Sequence, residues 1–370
     1  MLEKIAKFLT KTQTTKPSLY LIATLIVTLA ILPGMGFLIG NIEPSLEKVL
    51  PQDVEEVMLM NQMRAQYGAD MMYVVLEGDF DARSYESLRY MDIVGEKLLE
   101  VDNVLDITSI STIILDYNEF LPIDIDQSKA ILKIDPRTET MLNYDSSVAV
   151  IQVRTDTGAS AARIKQVVDD SKFAIESLED YNPGFKYSIT GFGAIDKATF
   201  NVIITDFAKI TLISFALVAF FVFLSFRTVK KTMLALSVVM ITLIWTLGIT
   251  GYLQLTITVV TMVAAAMIMG LGISYGIHVV HRYYELRKNN KAKQAIGKLQ
   301  EELIRALLGS SMTTSAGFLA LLFGVLPAMK NLGIILGIGI LLTFIVAIGV
   351  LPVLIFKSDK EDKKKLKNDI

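Results

Sequence analysis

The chain has 370 residues, of which 52% are hydrophobic, 36 are Lys or Arg and 38 are Asp or Glu. It has no cysteine, which excludes disulfides, thiolate metal sites and cysteine nucleophiles. Its two histidines, His278 and His281, lie together in one apolar segment. We therefore expect no histidine-based soluble active site and no enzymatic activity.

Charge is divided sharply along the chain. Residues 41–206 contain 30 acidic and 14 basic side chains, whereas the remainder contains 8 acidic and 22 basic ones. Such segregation is typical of a membrane protein with one large translocated domain, because basic residues concentrate on the cytoplasmic side. The predicted location is the cell membrane, with the lipid bilayer as a partner.

The first membrane helix is predicted at residues 17–42, after a basic cytoplasmic N-terminus at residues 1–16. Residues 17–42 carry no charged side chain. The run is longer than the apolar part of a secretory signal, about 7–15 residues, so we interpret it as an uncleaved membrane helix.

Residues 43–206 are predicted to form an extracytoplasmic α/β domain. Strands are predicted at residues 70–77, 104–107, 147–154 and 185–190, and helices at residues 84–101 and 160–178. Two β-α-β passes of this kind indicate a ferredoxin-like sandwich. Residues 111–144 are predicted to be a loop with one short helix, and residues 191–209 a helix that continues into the second membrane helix.

Five further membrane helices follow, which makes six. Uncharged runs lie at residues 210–226, 232–281, 306–329 and 331–356. The second run suits two spans, since one helix needs about 20 apolar residues; we expect a turn at residues 251–254 and a fourth helix from about residue 256. The resulting plan places helices 2–4 in residues 207–281, a cytoplasmic amphipathic linker in 282–305, helices 5 and 6 in 306–356 and a disordered charged tail in 357–370. Basic clusters after the second, fourth and sixth helices predict that both termini are cytoplasmic.

The fourth predicted helix carries a polar stripe. Ser274, His278 and His281 fall at i, i+4 and i+7, on one face. Because polar groups inside lipid are costly, such a stripe is expected to face a partner or a water-filled path. Gly272 and Gly276 lie four residues apart, which marks a face that another helix can approach closely.

The polar residues also have structural interpretations. His278 either changes protonation near neutral pH or serves as a structural hydrogen-bonding group. On the fifth helix, Ser310, Ser311, Thr313 and Thr314 bond either to the fourth helix or to carbonyl groups of their own helix.

Nothing in the sequence points to a cofactor, a metal or a nucleic acid. The segment Gly270-Leu-Gly272 is only superficially like a nucleotide-binding loop. It lies inside a membrane helix, and the sequence has no Gly-Lys-Ser or Gly-Lys-Thr. We therefore expect no nucleotide partner.

A membrane helix, a large α/β segment and five more helices resemble one repeat of the resistance-nodulation-division (RND) superfamily. Several motifs are similar to its MmpL and hopanoid-type branch, which exports lipids and amphiphiles. They are Leu50-Pro-Gln-Asp53, Gln66-Tyr-Gly68, Ile189-Thr-Gly191, Asp206, Ser225-Phe-Arg227, Gly270-Leu-Gly-Ile-Ser-Tyr-Gly-Ile-His278, His281-Arg-Tyr283 and Ser311-Met-Thr-Thr-Ser-Ala-Gly-Phe318, with Pro327 and Gly333. The resemblance implies a porter-type outer domain and proton-driven export of lipid-like or hydrophobic molecules.

The resemblance also places the proton relay at Ser274, Tyr275 and His278. The fourth helix of the family carries Asp immediately before the Tyr, whereas this chain has Ser274. A serine hydroxyl does not titrate in an accessible range, so the sequence leaves proton coupling open. Full-length relatives carry two such repeats, which implies a homodimer in which two fourth helices meet near the two-fold axis.

Two alternatives come from other functional classes. The protein-export auxiliaries SecD and SecF share the six-helix repeat and act on polypeptides, so co-purification with a translocon would favour that role. A non-transporting lipid sensor or scaffold would fit the absence of Asp and Glu from the predicted membrane runs. Flux of substrate into reconstituted vesicles separates the transporter from the sensor.

Overall fold

The structure is a computed structural model that describes residues 2–43, 49–51, 53–59, 62, 70–157 and 161–368. The chain divides into two compact units, called here the membrane unit (Met1–Glu43 with Val202–Ile370) and the α/β unit (Pro44–Asn201). The family motif at residues 66–68 lies outside the described residues.

Helices and strands follow one another in an order close to the predicted one. They are α1 (Leu2–Thr15), α2 (Pro17–Ile31), α3 (Gly34–Gly40), β1 (Asp70–Glu77), α4 (Tyr85–Leu99), β2 (Val104–Thr108), α5 (Ile110–Tyr117), α6 (Ile125–Ile134), β3 (Val148–Thr155), α7 (Ala161–Glu176), β4 (Lys186–Gly191), α8 (Phe192–Phe226), α9 (Val229–Tyr252), α10 (Ala264–Arg287), α11 (Ala292–Leu319), α12 (Pro327–Ile345) and α13 (Leu351–Asn368).

The α/β unit is built on a small antiparallel sheet in the order β2-β3-β1-β4. Because β3 lies between β1 and β2, and β1 lies between β3 and β4, each β-α-β pass encloses a strand of the other pass. This is the split β-α-β arrangement. The alternate residues Met72, Val74 and Leu76 of β1 are buried and form one core with the apolar face of α4, including Leu88 and Met91.

The segment between β2 and β3 is more ordered than the predicted loop. It contains α5, α6 and a 3₁₀ turn at Pro136–Thr140. Polar caps begin these elements: Ser109 and Thr112 form a capping box at α5, and the Asp124 carboxylate accepts from the N–H of Asp126 at α6. These capping residues were the sequence signal that the prediction missed.

Arg137 links two parts of the segment between β2 and β3 through ion pairs. Arg137 lies 2.8 Å from carboxylate oxygens of both Asp116 and Asp135. The hydrogen bonds from the Arg137 guanidinium hold the pKa of the Asp135 carboxyl below its ordinary value. The end of α5 is thereby joined to the 3₁₀ turn.

Six helices of the described chain are long and apolar enough to cross a membrane. They are Pro17–Gly40, Lys197–Phe226, Val229–Tyr252, Thr261–Arg287, Ala292–Phe323 and Pro327–Asp359, called below the first to sixth membrane helices. This agrees with the six predicted spans, and the protein is a multi-pass membrane protein.

The fourth membrane helix begins later than predicted. It starts with a 3₁₀ turn at Thr261–Val263 and continues as α10 from Ala264, rather than starting near residue 256, because Ile257 is paired with the end of the first membrane helix. The N–H of Ile257 donates to the carbonyl of Asn41 at 2.9 Å, and the N–H of Glu43 donates to the carbonyl of Ile257 at 2.9 Å. Pairing with residues 41–43 satisfies backbone groups that a helix would otherwise satisfy.

The predicted linker and tail also differ from the structure. α11 is one continuous helix from Ala292 to Leu319, and its first turns bury Ala295, Ile296 and Leu299. The predicted linker at residues 282–305 is therefore not a separate surface helix. The C-terminal segment predicted to be disordered is helical to Asn368, as part of α13.

Candidate functional site

The predicted polar stripe lies on the outer side of α10. Ile268, Met269, Ile273, Val279 and Val280 of that helix are buried in the core of the membrane unit. On the opposite side, Ser274 is half-buried, and His278 and His281 are exposed in the single chain. The helical spacing thus puts these side chains on one face, but no part of the described chain buries the histidines.

Ser274 and Tyr275 make different hydrogen bonds. The Ser274 hydroxyl donates to the carbonyl of Leu271 in its own helix at 2.8 Å, which is the local interaction typical of membrane serines. Tyr275 is 6% exposed, and its hydroxyl donates to the Ser310 hydroxyl at 3.3 Å. Tyr275 therefore joins the fourth membrane helix to the fifth.

The fifth membrane helix uses most of its predicted hydroxyls locally. Ser311 donates to the carbonyl of Leu308, and Thr313 donates to carbonyls of its own preceding turn, while Thr314 is half-buried. Ser315, which the sequence reasoning did not single out, donates to the carbonyl of Gly337 on the sixth membrane helix at 2.9 Å. Ser315 lies four residues after the buried Ser311, so helical spacing places both on the same buried face. That spacing could have identified Ser315 from the sequence.

Gly272 and Gly276 lie where neighbouring helices come close. A Cβ atom at Gly276 would lie 2.6 Å from the carbonyl oxygen of Ala235 in α9. A Cβ atom at Gly272 would lie 3.1 Å from the Thr343 methyl group in α12. The third, fourth and sixth membrane helices are thus in close contact behind the stripe.

A second set of polar groups is buried on that inner side. Thr242 and Thr246 of α9 and Thr343 of α12 are all 0% exposed. Thr343 donates to the carbonyl of Gly339 at 2.8 Å, whereas the other two hydroxyls have no partner among the described residues. The third and sixth membrane helices therefore also bury polar groups at membrane depth. The i, i+4 spacing of Thr242 and Thr246 was a sequence signal that the prediction missed.

The chemistry available at the stripe is limited to hydrogen bonding and imidazole protonation. The hydroxyl of Ser274, like that of Ser310 on the neighbouring fifth helix, donates and accepts hydrogen bonds without titrating. The imidazoles of His278 and His281 are the groups of the stripe that can exchange a proton. Across the residues described here, no group of three or more His, Asp or Glu side chains could hold a metal ion.

The membrane unit also contains a wholly apolar groove of about 260 Å³. Its walls come from α3 and its end, from α8, from α9 and from the paired segment before α10. The lining residues are Met35, Leu38, Ile39, Ile42, Ile203, Ile204, Phe207, Ala208, Leu247 and Ile257. Sequence reasoning missed this groove, because it depends on long-range packing.

Known proteins resemble this chain over most of its length or over a short part of it. The MMPL family model matches residues 48–366. The putative membrane protein MJ1562 of Methanocaldococcus jannaschii is 29% identical over 385 aligned residues, which cover 100% of this chain and 98% of that protein. The sulfolipid-1 exporter MmpL8 of Mycobacterium tuberculosis is 30% identical over 91 residues, which are 24% of this chain and only 8% of MmpL8. A probable transport protein MmpL8 of Mycobacterium bovis matches to the same extent.

Proposed function

The chain belongs to the MMPL family, within the RND superfamily, and we propose that it transports lipid-like or amphipathic molecules in the membrane. The observation that carries this proposal is the apolar groove of the membrane unit. A relative named as a sulfolipid-1 exporter supports a lipid-like cargo.

The size and lining of the groove favour an acyl chain as its occupant. At about 260 Å³ the groove lies just below the volumes of typical small-molecule sites, about 300–1,000 Å³. Every lining side chain is apolar, so a polar headgroup would lose its hydrogen bonds there. The groove therefore fits one hydrocarbon tail, with the headgroup outside.

Replacing Ala208 with tryptophan is expected to fill the groove and expel the bound lipid. Ala208 lines the groove, and an indole side chain buries about 150–250 Å². Lipid mass spectrometry of the full-length protein purified in detergent should show at least about a tenfold loss of co-purified lipid, since filling an apolar pocket removes several kcal/mol of burial.

Ala216→Trp is the matched control for this variant. Ala216 is exposed on the same helix and does not line the groove. Its lipid content should equal that of the unchanged protein. Equal lipid loss in both variants, or in neither, would contradict a tail-binding groove.

For the α/β unit, the proposed role is that of a porter-type domain on the side opposite the two termini. The charge division along the chain supports this orientation, because basic residues such as Arg227, Lys230 and Lys231 follow the second membrane helix. Cargo leaving the membrane would pass through this domain. The family resemblance implies proton uptake at the fourth membrane helix, where this chain carries the non-titrating Ser274.

We further propose that two copies associate through the polar stripe. Exposed imidazoles of His278 and His281 facing hydrocarbon would be costly, and a second stripe would supply hydrogen-bonding partners. A two-fold arrangement brings the same patch of each copy together. Ser274 of one copy would then lie near Ser274 of the other.

Cross-linking tests this homodimer directly, because the chain has no cysteine of its own. Ser274→Cys is expected to give a disulfide-linked dimer on mild oxidation in native membranes, since a disulfide needs Cα atoms about 4.4–6.8 Å apart. Phe221→Cys, at an exposed position of the second membrane helix, should stay monomeric. Dimers of both variants, or of neither, would argue against this interface.

A further inference from the structure

The sixth membrane helix contains a break in its regular hydrogen bonding. Residues Val346–Val350 form a π turn between α12 and α13, and Pro352 follows it. Proline has no N–H, so Pro352 cannot donate to the carbonyl four residues earlier, that of Ile348. Carbonyl groups left open within a membrane helix need other donors.

Two buried glutamines supply those donors. The Gln13 side-chain amide of α1 donates to the carbonyls of Ile348 and Gly349, each at 2.9 Å. Gln300 of α11 donates to the same Ile348 carbonyl at 2.8 Å and to the Gln13 side-chain oxygen at 3.0 Å. Both glutamines are 0% exposed. The break in the sixth helix is thus closed by side chains from two other helices.

The helix that carries Gln13, α1, buries only one side against the rest of the described chain. α1 buries Ala6 and Thr14 as well as Gln13, while Phe8 on its other side is 65% exposed and Lys4 is exposed. Such a helix is suited to the surface of a membrane as well as to the protein. Its link to α2 is Lys16 followed by Pro17, a point where the chain leaves helical geometry.

The docked arrangement also contains an unmet hydrogen bond. The side-chain oxygen of Gln300 is buried and has no donor in the part of the chain that the structure describes. A buried acceptor without a donor destabilises the state that buries it. Release of α1 would expose this oxygen to water and relieve that cost. The carbonyls of Ile348 and Gly349 would in turn lose the hydrogen bonds that Gln13 donates.

We propose that α1 is a releasable latch on the sixth membrane helix. When α1 is docked, Gln13 and Gln300 fix the π turn; when it is released, the sixth helix bends differently at Pro352. Thr343, which contacts Gly272 of the fourth helix, lies three residues before this turn. Movement of the latch can therefore change how the fourth and sixth helices pack behind the polar stripe. This action does not require that the chain transport lipids.

Hydrogen–deuterium exchange of the full-length protein in detergent tests the latch. Gln13→Ala should speed exchange of the amides at residues 343–356 by about tenfold, because the Gly349 carbonyl loses its Gln13 donor and the Ile348 carbonyl keeps only Gln300. Thr12→Ala is the control on the same helix, since the Thr12 hydroxyl bonds only to carbonyls of α1. Exchange at α9, in the same membrane unit, should stay unchanged in both variants and reports that this unit keeps its fold.

Pro352→Ala provides a second, independent arm. It restores an N–H that can donate to the Ile348 carbonyl, so Gln13→Ala should have less than about a third of its effect in that background. A double variant in which the two effects simply add would overturn the latch. So would a Gln13→Ala protein that exchanges at the same rate as Thr12→Ala.

Discussion

Gly251→Ala should destabilise the membrane unit by about 3 kcal/mol, near the upper end of the usual cost of overpacking. A Cβ atom at Gly251 would lie 1.8 Å from the carbonyl oxygen of Gly34, and one at Gly34 would lie 2.1 Å from the carbonyl oxygen of Gly248. These neighbours are backbone atoms, which do not move aside as a flexible side chain does. The first and third membrane helices would have to separate.

Separation of these helices would break two further contacts. The indole N–H of Trp245 donates to the Thr28 hydroxyl at 2.9 Å, and the Tyr252 hydroxyl donates to the carbonyl of Ala30 at 2.9 Å. Trp245 is the single tryptophan of the chain. Its fluorescence therefore reports on this interface without added labels, and denaturant titration of the purified protein should show an earlier transition in the variant.

The matched control for this prediction lies on α3, the helix that Gly251 faces. A Cβ atom at Gly36 would meet nothing within 4 Å. Gly36→Ala should leave the transition unchanged or shift it slightly upward, because alanine is the better helix former. A Gly251→Ala protein as stable as the Gly36→Ala protein would show that the two helices are not in such close contact.

Local patterns in the sequence were sufficient for much of the fold. The short apolar run from Met71 to Leu76, bounded by Asp70 and Glu77, predicted a strand with the observed bounds, because short apolar runs of this length are typical of buried strands. Uncharged runs predicted the membrane helices for a similar reason, since hydrocarbon excludes charge. The end of the third membrane helix at Tyr252 fell within the predicted turn.

Features that depend on contacts between distant segments were not predictable in this way. The close approach at Gly251 depends on Gly34, more than two hundred residues away, and neither glycine differs locally from exposed Gly36. Gln13 and Gln300 were not distinguishable from surface glutamines until Ile348 was placed beside them. Contacts between residues so far apart in the sequence leave no local pattern from which they could be predicted.

The candidate site shows the same limit. The i, i+4 spacing correctly put Ser274 and His278 on one face of α10, because helix geometry fixes that relation. It did not determine which face the protein covers. The buried contact with the fifth helix is made by Tyr275, the residue next to Ser274, and the third and sixth helices bring their own buried threonines.

Ser274→Asp is expected to make proton flux respond to cargo. The serine hydroxyl does not titrate, whereas a carboxyl can bind and release a proton, and one positioned acid or base typically changes a proton-transfer rate by about 10²–10⁴-fold. The position lies next to Tyr275, whose hydroxyl reaches Ser310 at 3.3 Å, so a protonation change there is directly adjacent to the contact between the fourth and fifth helices.

Proteoliposomes with a trapped pH-sensitive dye and an imposed pH gradient measure this effect. We expect proton entry on addition of a fluorescent phospholipid to rise about tenfold or more over the unchanged protein. Ser274→Asn is the control, because its amide has the size of a carboxyl and does not titrate.

If the Asp and Asn variants gave the same proton flux, the relay would lie elsewhere, and His278 would be the next group to replace. A rise confined to the Asp variant would mean that this face of α10 needs only a titratable group to carry protons. The serine would then be the reason that the present chain moves its cargo by another driving force.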